Sequence, residues 1–244
     1  MSILGQPKEV EAVRMFALVR IHVPLSVVNQ KTGTEARVMD HVWDSIVRNH
    51  HSWTTGDVRP LYLTHRYMQE DTSMIVDAKD PDALTDFLMR HIAPIDNVRG
   101  IWVINLSRMK FLDFPAEIAH GFSRFTVTID AKPKYLDKIF ESILLLKPGR
   151  DIAINYIAYT FASYHASTML SVLARSHNHL GAFVDAHINP LEGVVNTETT
   201  LISKTMRLVS PEDWRRYVDS HLAVPGAEPI PDIDVEDESL ITGC

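Results

Sequence analysis

The sequence predicts an α+β protein of two tandem ferredoxin-like units, each running strand-helix-strand-strand-helix-strand. Three observations predict it. First, residues 72–112 reappear at 168–208 with a constant offset and no gap. Thr72 meets Thr168, Val76 meets Val172, Ala78 meets Ala174, Leu84 meets Leu180 and Phe87 meets Phe183. His91-Ile92-x-Pro94 meets His187-Ile188-x-Pro190, Val98 meets Val194, Ser107 meets Ser203 and Leu112 meets Leu208. A gap-free match over about 40 residues marks a duplicated unit. Second, period-2 and helix-period stretches follow one another in the same order in both halves. Third, 244 residues at 45% hydrophobic and 23% charged suit two packed units of ordinary size.

Residues 1–14 are a polar lead-in. Residues 15–113 form the first unit, 120–209 the second, and 210–244 a C-terminal helix and acidic tail. In the first unit Ala17, Val19, Ile21 and Val23 alternate with Arg20 and His22, which reads as a strand with one face on a core. A loop over 24–33 leads to Thr34, a candidate N-cap, with Glu35 beside the positive helix end. Val38, Val42, Trp43 and Ile46 then recur at helical spacing to about His50. Asp57–Met68 and Thr72–Ala78 read as a hairpin around Gln69-Glu70-Asp71. Asp80-Pro81 opens a second helix with Pro near its first position and a stripe of Leu84, Phe87, Leu88 and Ile92. Val98–Leu112 closes the unit.

The pattern restarts after a connector over 113–121. Ser123, Phe125, Val127 and Ile129 oppose Arg124, Thr126 and Thr128 on a strand. A helix from Tyr135 stops at Lys147-Pro148-Gly149. Asp151–Phe161 and Ser167–Ala174 form the hairpin, Arg175–Ile188 the helix and Val194–Val209 the last strand. Ser210-Pro211-Glu212-Asp213 starts a further helix carrying Trp214, Tyr217 and Val218 to about Leu222. The remainder is rich in prolines and acids and is expected to be dispensable for folding.

The net charge of −7 and the lack of any Lys/Arg run argue against a nucleic-acid footprint. The one cysteine, Cys244, allows no internal disulfide, which suits a reducing, cytoplasmic compartment. The first residues lack an apolar core of signal-peptide type, and no apolar run reaches membrane-spanning length. Among the 12 histidines, His50-His51 and His177-x-His179 are the closest pairs, but no Cys or acid sits at metal-ligand spacing. No metal site is expected, and loop histidines in solvent are the reading for these pairs. His91 and His187 recur at equivalent helix ends, where the dipole and the last carbonyls favour them. Walker A, GxGxxG, Gly-x-Ser-x-Gly and HExxH are all missing, and the residues name no cofactor.

The last strand of the second half, Gly193-Val194-Val195-Asn196-Thr197-Glu198-Thr199, resembles the end of the ligand-binding domain of Lrp/AsnC regulators. Gly193, Val194, Thr197 and Thr199 match that motif; in the first half Asn97, Val98, Ile101 and Val103 stand in its place. The resemblance covers about residues 15–209 as two tandem copies. It implies a dimeric α/β-barrel type of assembly and a stand-alone effector-binding or assembly module. Such a module senses a small molecule or partners a transcription regulator. No helix-turn-helix is expected, hence no direct nucleic-acid binding, and homo-oligomers are. The family's effector loop has a Gly-x-Tyr-Asp turn, whereas 64–71 and 159–164 lack that glycine. The alternative is an enzyme of the same barrel type acting on a small molecule in the inter-sheet cavity, since paired units of this kind also host monooxygenases and haem-processing enzymes.

Either reading puts function on the sheet faces turned away from the helices. The residues expected there are Arg20, His22, His65, Arg66, Arg124, Thr126, Thr128, Tyr156 and His165, with Tyr159 a further candidate. The two sheets are expected to pair within one chain and to enclose an asymmetric cavity for an anionic or carboxylate-bearing ligand.

Overall fold

The computed structural model describes residues 14–24, 27–28, 35–36, 38–67, 71–112, 121–147, 149–162, 165–219 and 228–229. The first unit contains β1 (Met15–His22), the short pair β2 (Val27–Val28) and β3 (Glu35–Ala36), α1 (Val38–Trp53), β4 (Val58–Arg66), β5 (Asp71–Ala78), α2 (Pro81–Phe87) and β6 (Gly100–Leu112). The second contains β7 (Ser123–Ala131), α3 (Leu136–Leu144), β8 (Leu146–Lys147), β9 (Ile152–Ala162), β10 (His165–Ala174), α4 (His177–Phe183) and β11 (Val194–Arg207). After it come α5 (Pro211–Trp214), β12 (Val218–Asp219) and β13 (Glu228–Pro229).

Eight strands close into one antiparallel barrel in the order β1-β5-β4-β11-β7-β10-β9-β6, because β6 also pairs with β1. The two long strands make the closure. β6 pairs with β1 through Leu106 and then with β9 from Leu106 to Phe111. β11 pairs with β7 through Ile202 and then with β4 from Ile202 to Arg207. Each transfer occurs at a register shift, after Ser107 and after Ile202. A bulge bends and twists a strand locally, which is what crossing from one sheet to the next requires. The sheets therefore pair within the chain.

Period-2 alternation separates two kinds of core. Ala17, Val19 and Ile21 pack with Val42, Trp43, Ile46, Leu84 and Phe87 beneath α1 and α2. Phe125, Val127 and Ile129 pack with Ile139, Phe140, Leu180 and Phe183 beneath α3 and α4. The opposite faces supply a third cluster inside the barrel, with Leu18, Tyr62, Ile75, Leu106, Phe111, Tyr156 and Met169 joined by Trp214.

The duplication holds in fine detail. α2 and α4 start 96 residues apart (177 − 81), each capped by the preceding side chain: Asp80 accepts from the Ala83 N–H and Ser176 from the His179 N–H. Both helices then widen into a π turn, Leu88–Ile92 and Val184–Ile188, closed by 2.8 Å bonds from Ala93 N to Leu88 O and from Asn189 N to Val184 O. The periodicity predicts helix throughout and does not show the widening. The turn after each copy needs a left-handed residue, and Asn97 (φ 71) and Gly193 (φ 94) occupy it.

Several expectations need correction. α1 begins at Val38, after the β2–β3 pair, and not at Thr34, which lies outside the described residues. The last helix is a single turn ending at Trp214, because Val218 and Asp219 leave it to pair with Phe111 and Leu112 of β6. Glu228 and Pro229 pair with Leu146 and Lys147, so this part of the tail is docked. The lead-in before Arg14, most of the 113–121 connector, the tail beyond Pro229 and Cys244 lie outside the described residues. His50 and His179 are buried, not solvated: His50 Nδ1 lies 2.6 Å from the Val47 carbonyl and His179 Nδ1 2.7 Å from Ser176 Oγ. His91 and His187 do occupy the last turns of their helices, as expected; in addition His91 stacks on Trp53 at 5.2 Å and the His187 ring lies tilted against Phe183 at 5.5 Å.

Candidate functional site

Inside the barrel, toward the end of β1 that carries Arg20, is a cavity of about 160 Å³. β1 contributes Leu18 and Arg20, β4 Thr64 and Arg66, and β5 Ser73. The second half contributes Thr126, Thr128, Tyr156 and Met169, and β11 contributes Glu198, Thr200 and Ile202. Leu18, Arg20, Thr126 and Thr128 lie on strand faces turned away from the helices, since the residues beside them belong to the helix-covered clusters. Burial pushes the Arg20 pKa down and the nearby Arg66 charge adds to this, while Asp71 and Glu198 oppose it. Arg20 Nε is buried without a hydrogen-bond partner, and so is Ser73 Oγ, which belongs to its cross-strand neighbour. Arg66 is engaged: Nη1 donates to Asp71 Oδ2 at 3.2 Å and Nη2 to Thr200 Oγ1 at 3.3 Å. Burial pushes the Tyr156 phenol strongly up, opposed by the charges of Arg124 and Arg20.

Of the residues expected from the sequence, Arg20, Arg66, Thr126, Thr128 and Tyr156 meet at this cavity. His22 is not part of its lining; it packs edge-on against Trp102 at 5.5 Å. His65 is on the helix side of β4, between the inward Thr64 and Arg66, and its Nδ1 lies 3.1 Å from the Asp71 carbonyl. Alternation across the strand excludes it from the cavity. Arg124 faces inward but lies four residues along β7 from Thr128, about 13 Å at strand rise. It donates to Ser171 Oγ at 3.1 Å. Tyr159 faces α3, where its hydroxyl donates to Asp137 at 2.7 Å. The side chain of His165 lies outside the described residues. Among the polar lining residues, Thr64, Ser73, Glu198 and Thr200 were missed. Glu198 shares its strand face with Thr200, and that parity was the available signal.

The cavity is asymmetric because the halves have diverged at equivalent positions. Arg20 pairs with Ser73 and Trp102; Thr128 pairs with Met169 and Glu198. The partners differ by 96 in each case (169 − 73 and 198 − 102), so Arg20 and Thr128 are counterparts. One half supplies a cation where the other has a hydroxyl, and β11 supplies a carboxylate where β6 has tryptophan. An unpaired guanidinium, an acid and several hydroxyls can hold a small polar molecule through an anionic group. Clefts for drug-sized ligands run to roughly 300–1,000 Å³. At about 160 Å³ and without a lining histidine, this cavity does not fit a porphyrin or a flavin. Among the described residues no cluster of His, Cys, Asp and Glu could hold a metal ion.

No protein-family model matches the sequence, nor does any curated protein. Solved structures do. A Fusobacterium nucleatum protein named as a candidate monooxygenase superposes with a TM-score of 0.50 at 11% identity, over 81% of this chain and 95% of that one. The chain has the dimeric α/β-barrel fold. A candidate monooxygenase from Lactobacillus acidophilus matches with a TM-score of 0.49 at 9% identity, over 80% and 96% of the two chains. A chlorite dismutase from Candidatus Nitrospira defluvii, in complex with imidazole, matches at 0.46 and 8%, over 78% and 91%. At such identities the likeness is one of fold. None of these three structures is described as an Lrp/AsnC regulator. No helix among the described residues is long and apolar enough to cross a membrane.

Proposed function

We propose that this protein is an enzyme of the dimeric α/β-barrel type that acts on a small carboxylate-bearing molecule in the inter-sheet cavity. The observation that carries this reading is Arg20, a half-buried cation lining the cavity with its buried Nε unpartnered beside an unpartnered Ser73 hydroxyl. Buried charges in folded proteins are paired, so a site of this kind calls for an anion from outside. Arg20 and Ser73 would hold the carboxylate. Glu198 faces the same space without an ion pair among the described residues and would exchange a proton with the substrate. The name of the Fusobacterium nucleatum neighbour, a candidate monooxygenase, supports an enzyme over a sensor.

The Lrp/AsnC-like strand motif has a structural explanation. Gly193 takes a left-handed conformation against the Tyr135 ring, and Thr197 Oγ1 donates to Asn189 Oδ1 at 3.2 Å. Gly193 and Thr197 thus shape the turn, while Glu198, between the matched threonines, faces the cavity.

The test is a panel of small carboxylates screened by thermal shift, followed by turnover of each binder. Arg20→Met should abolish binding and Glu198→Gln should keep binding but lose turnover. A binder recovered unchanged under every condition would favour the effector-binding reading. Undiminished binding by Arg20→Met would reject both.

A further inference from the structure

A second cationic place lies elsewhere in the barrel, near the cover formed by Trp214 and Tyr217. Arg124 of β7 places its guanidinium 5.2 Å from the centre of the Tyr62 ring. Arg207, at the end of β11, places its own 4.8 Å from the centre of the Trp214 ring. The two rings are neighbours, with centroids 6.0 Å apart, so one aromatic pair carries a cation on each member. The charges are close enough to act on each other: burial pushes the Arg207 pKa down, Tyr62 opposes this, and Arg124 lowers it further.

Nothing described neutralises them. Arg124 donates only to the neutral Ser171 hydroxyl, and its Nε is buried without a partner. Nearby acids are already engaged. Asp77 accepts from Arg14 Nε at 2.7 Å and from the Tyr217 hydroxyl at 2.7 Å. Asp213 lies 3.3 Å from Arg216. Arg124 is partly buried and Arg207 lies at the exposed rim beside it, so an anion reaching in from solvent meets both charges and supplies the partner that the buried Arg124 Nε lacks. The planar forks of two guanidinium groups match the oxygens of a phosphate, and two positive charges match a dianion better than a single carboxylate.

We propose that Arg124 and Arg207 form a second anion site that takes a dianionic oxyanion, either free phosphate or the phosphate of a phosphomonoester. Their aromatic supports, Tyr62 and Trp214, hold the two side chains in place before the anion arrives. The site is separate from the Arg20 cavity and does not depend on the function proposed for that cavity.

The experiment is a thermal-shift titration of the full chain with inorganic phosphate, and in parallel with glycerol 2-phosphate, at constant ionic strength against chloride. Saturable stabilisation of a few degrees is expected, because a ligand that binds only the folded state raises its melting temperature. Arg207→Gln should abolish it and Arg207→Lys should weaken it; Arg20→Met should leave it intact. Stabilisation by phosphate alone would assign the free ion, and stabilisation by both would admit phosphomonoesters. An equal rise in Arg207→Gln would mean general salt exclusion and overturn the proposal, as would no rise in the unmodified protein. Should the lysine variant melt early, broadening of the phosphate phosphorus resonance by the unmodified chain, lost in Arg207→Gln, decides the same question.

Discussion

Gly193 shows how one residue can be held by backbone geometry and packing together. Its φ of 94° lies in the left-handed region, and a Cβ there would run into the Tyr135 ring. The conformation alone costs a non-glycine residue roughly 1–2 kcal/mol. Gly193→Ala should therefore lower the melting temperature by several degrees, whereas Asn97→Gly at the equivalent turn should be close to neutral. A neutral result at Gly193 would mean that the turn can rearrange. Tyrosines give a second prediction at this scale. The phenol of Tyr159 is pushed up to about 12, first by burial and then by its bond to Asp137. That of Tyr217 is also pushed up to about 12, by burial and by Asp77. The folded state holds these protons more tightly than the unfolded chain, whose tyrosines titrate near 10. The contribution is complete below pH 10 and is lost as pH rises through about 12. Stability should fall with pH across that window, and the fall should be shallower in Tyr217→Phe, as read from denaturant midpoints. Arg20 was legible from alternation, which fixes a side chain's face. Its distance from Arg124 was not, because alternation carries no information about level along the barrel.

At the scale of elements, the long strands clasp the opposite halves. Arg108 of β6 reaches α3, where Nη1 donates to Asp137 at 2.8 Å and Nη2 to Glu141, with Phe140 under the guanidinium at 4.7 Å. Lys204 of β11, 96 residues on (204 − 108), reaches α1, with Asp40 at 3.9 Å and Trp43 under the ammonium at 4.6 Å. Arg108 also takes a left-handed conformation, φ 50°, at the bulge that carries β6 across. Exposed ion pairs contribute about 0–1 kcal/mol, and a cation on a ring adds a similar amount. Arg108→Ala should therefore destabilise by about 1–2 kcal/mol and Lys204→Ala by less than about 1 kcal/mol, measured by chemical denaturation. The helix stripes give a firmer number. Phe87 and Phe183 are 4% and 0% exposed. Replacing either by alanine should cost roughly 3–5 kcal/mol, with similar values at the two sites. A large inequality would mean that the two helices no longer share one mode of packing. Existence and facing of α2 and α4 were legible because apolar spacing reports them. Their π turns and the early end of α5 were not, since these depend on what each helix end meets in space.

For the whole molecule, exchange of β6 and β11 makes each half incomplete without the other. Neither sheet can lose its partner without exposing the interior that includes Tyr62, Phe111 and Tyr156. One cooperative denaturant transition is expected, with tryptophan fluorescence and circular dichroism coinciding. Two separated transitions would show that the halves unfold independently. The sequence by itself determined the duplication, the order of elements in each half and the face that each strand residue takes. Those follow from local periodicities and from an offset that can be counted along the chain. Only the tertiary structure decided that the sheets close into one barrel, which inward residues share a cavity, and that Glu198 joins Arg20 while Arg124 and Arg207 rest on the neighbouring rings of Tyr62 and Trp214. These are relations between strands distant in sequence. They are set by register and by bulges after Ser107 and Ile202, where one extra residue re-aims everything beyond it.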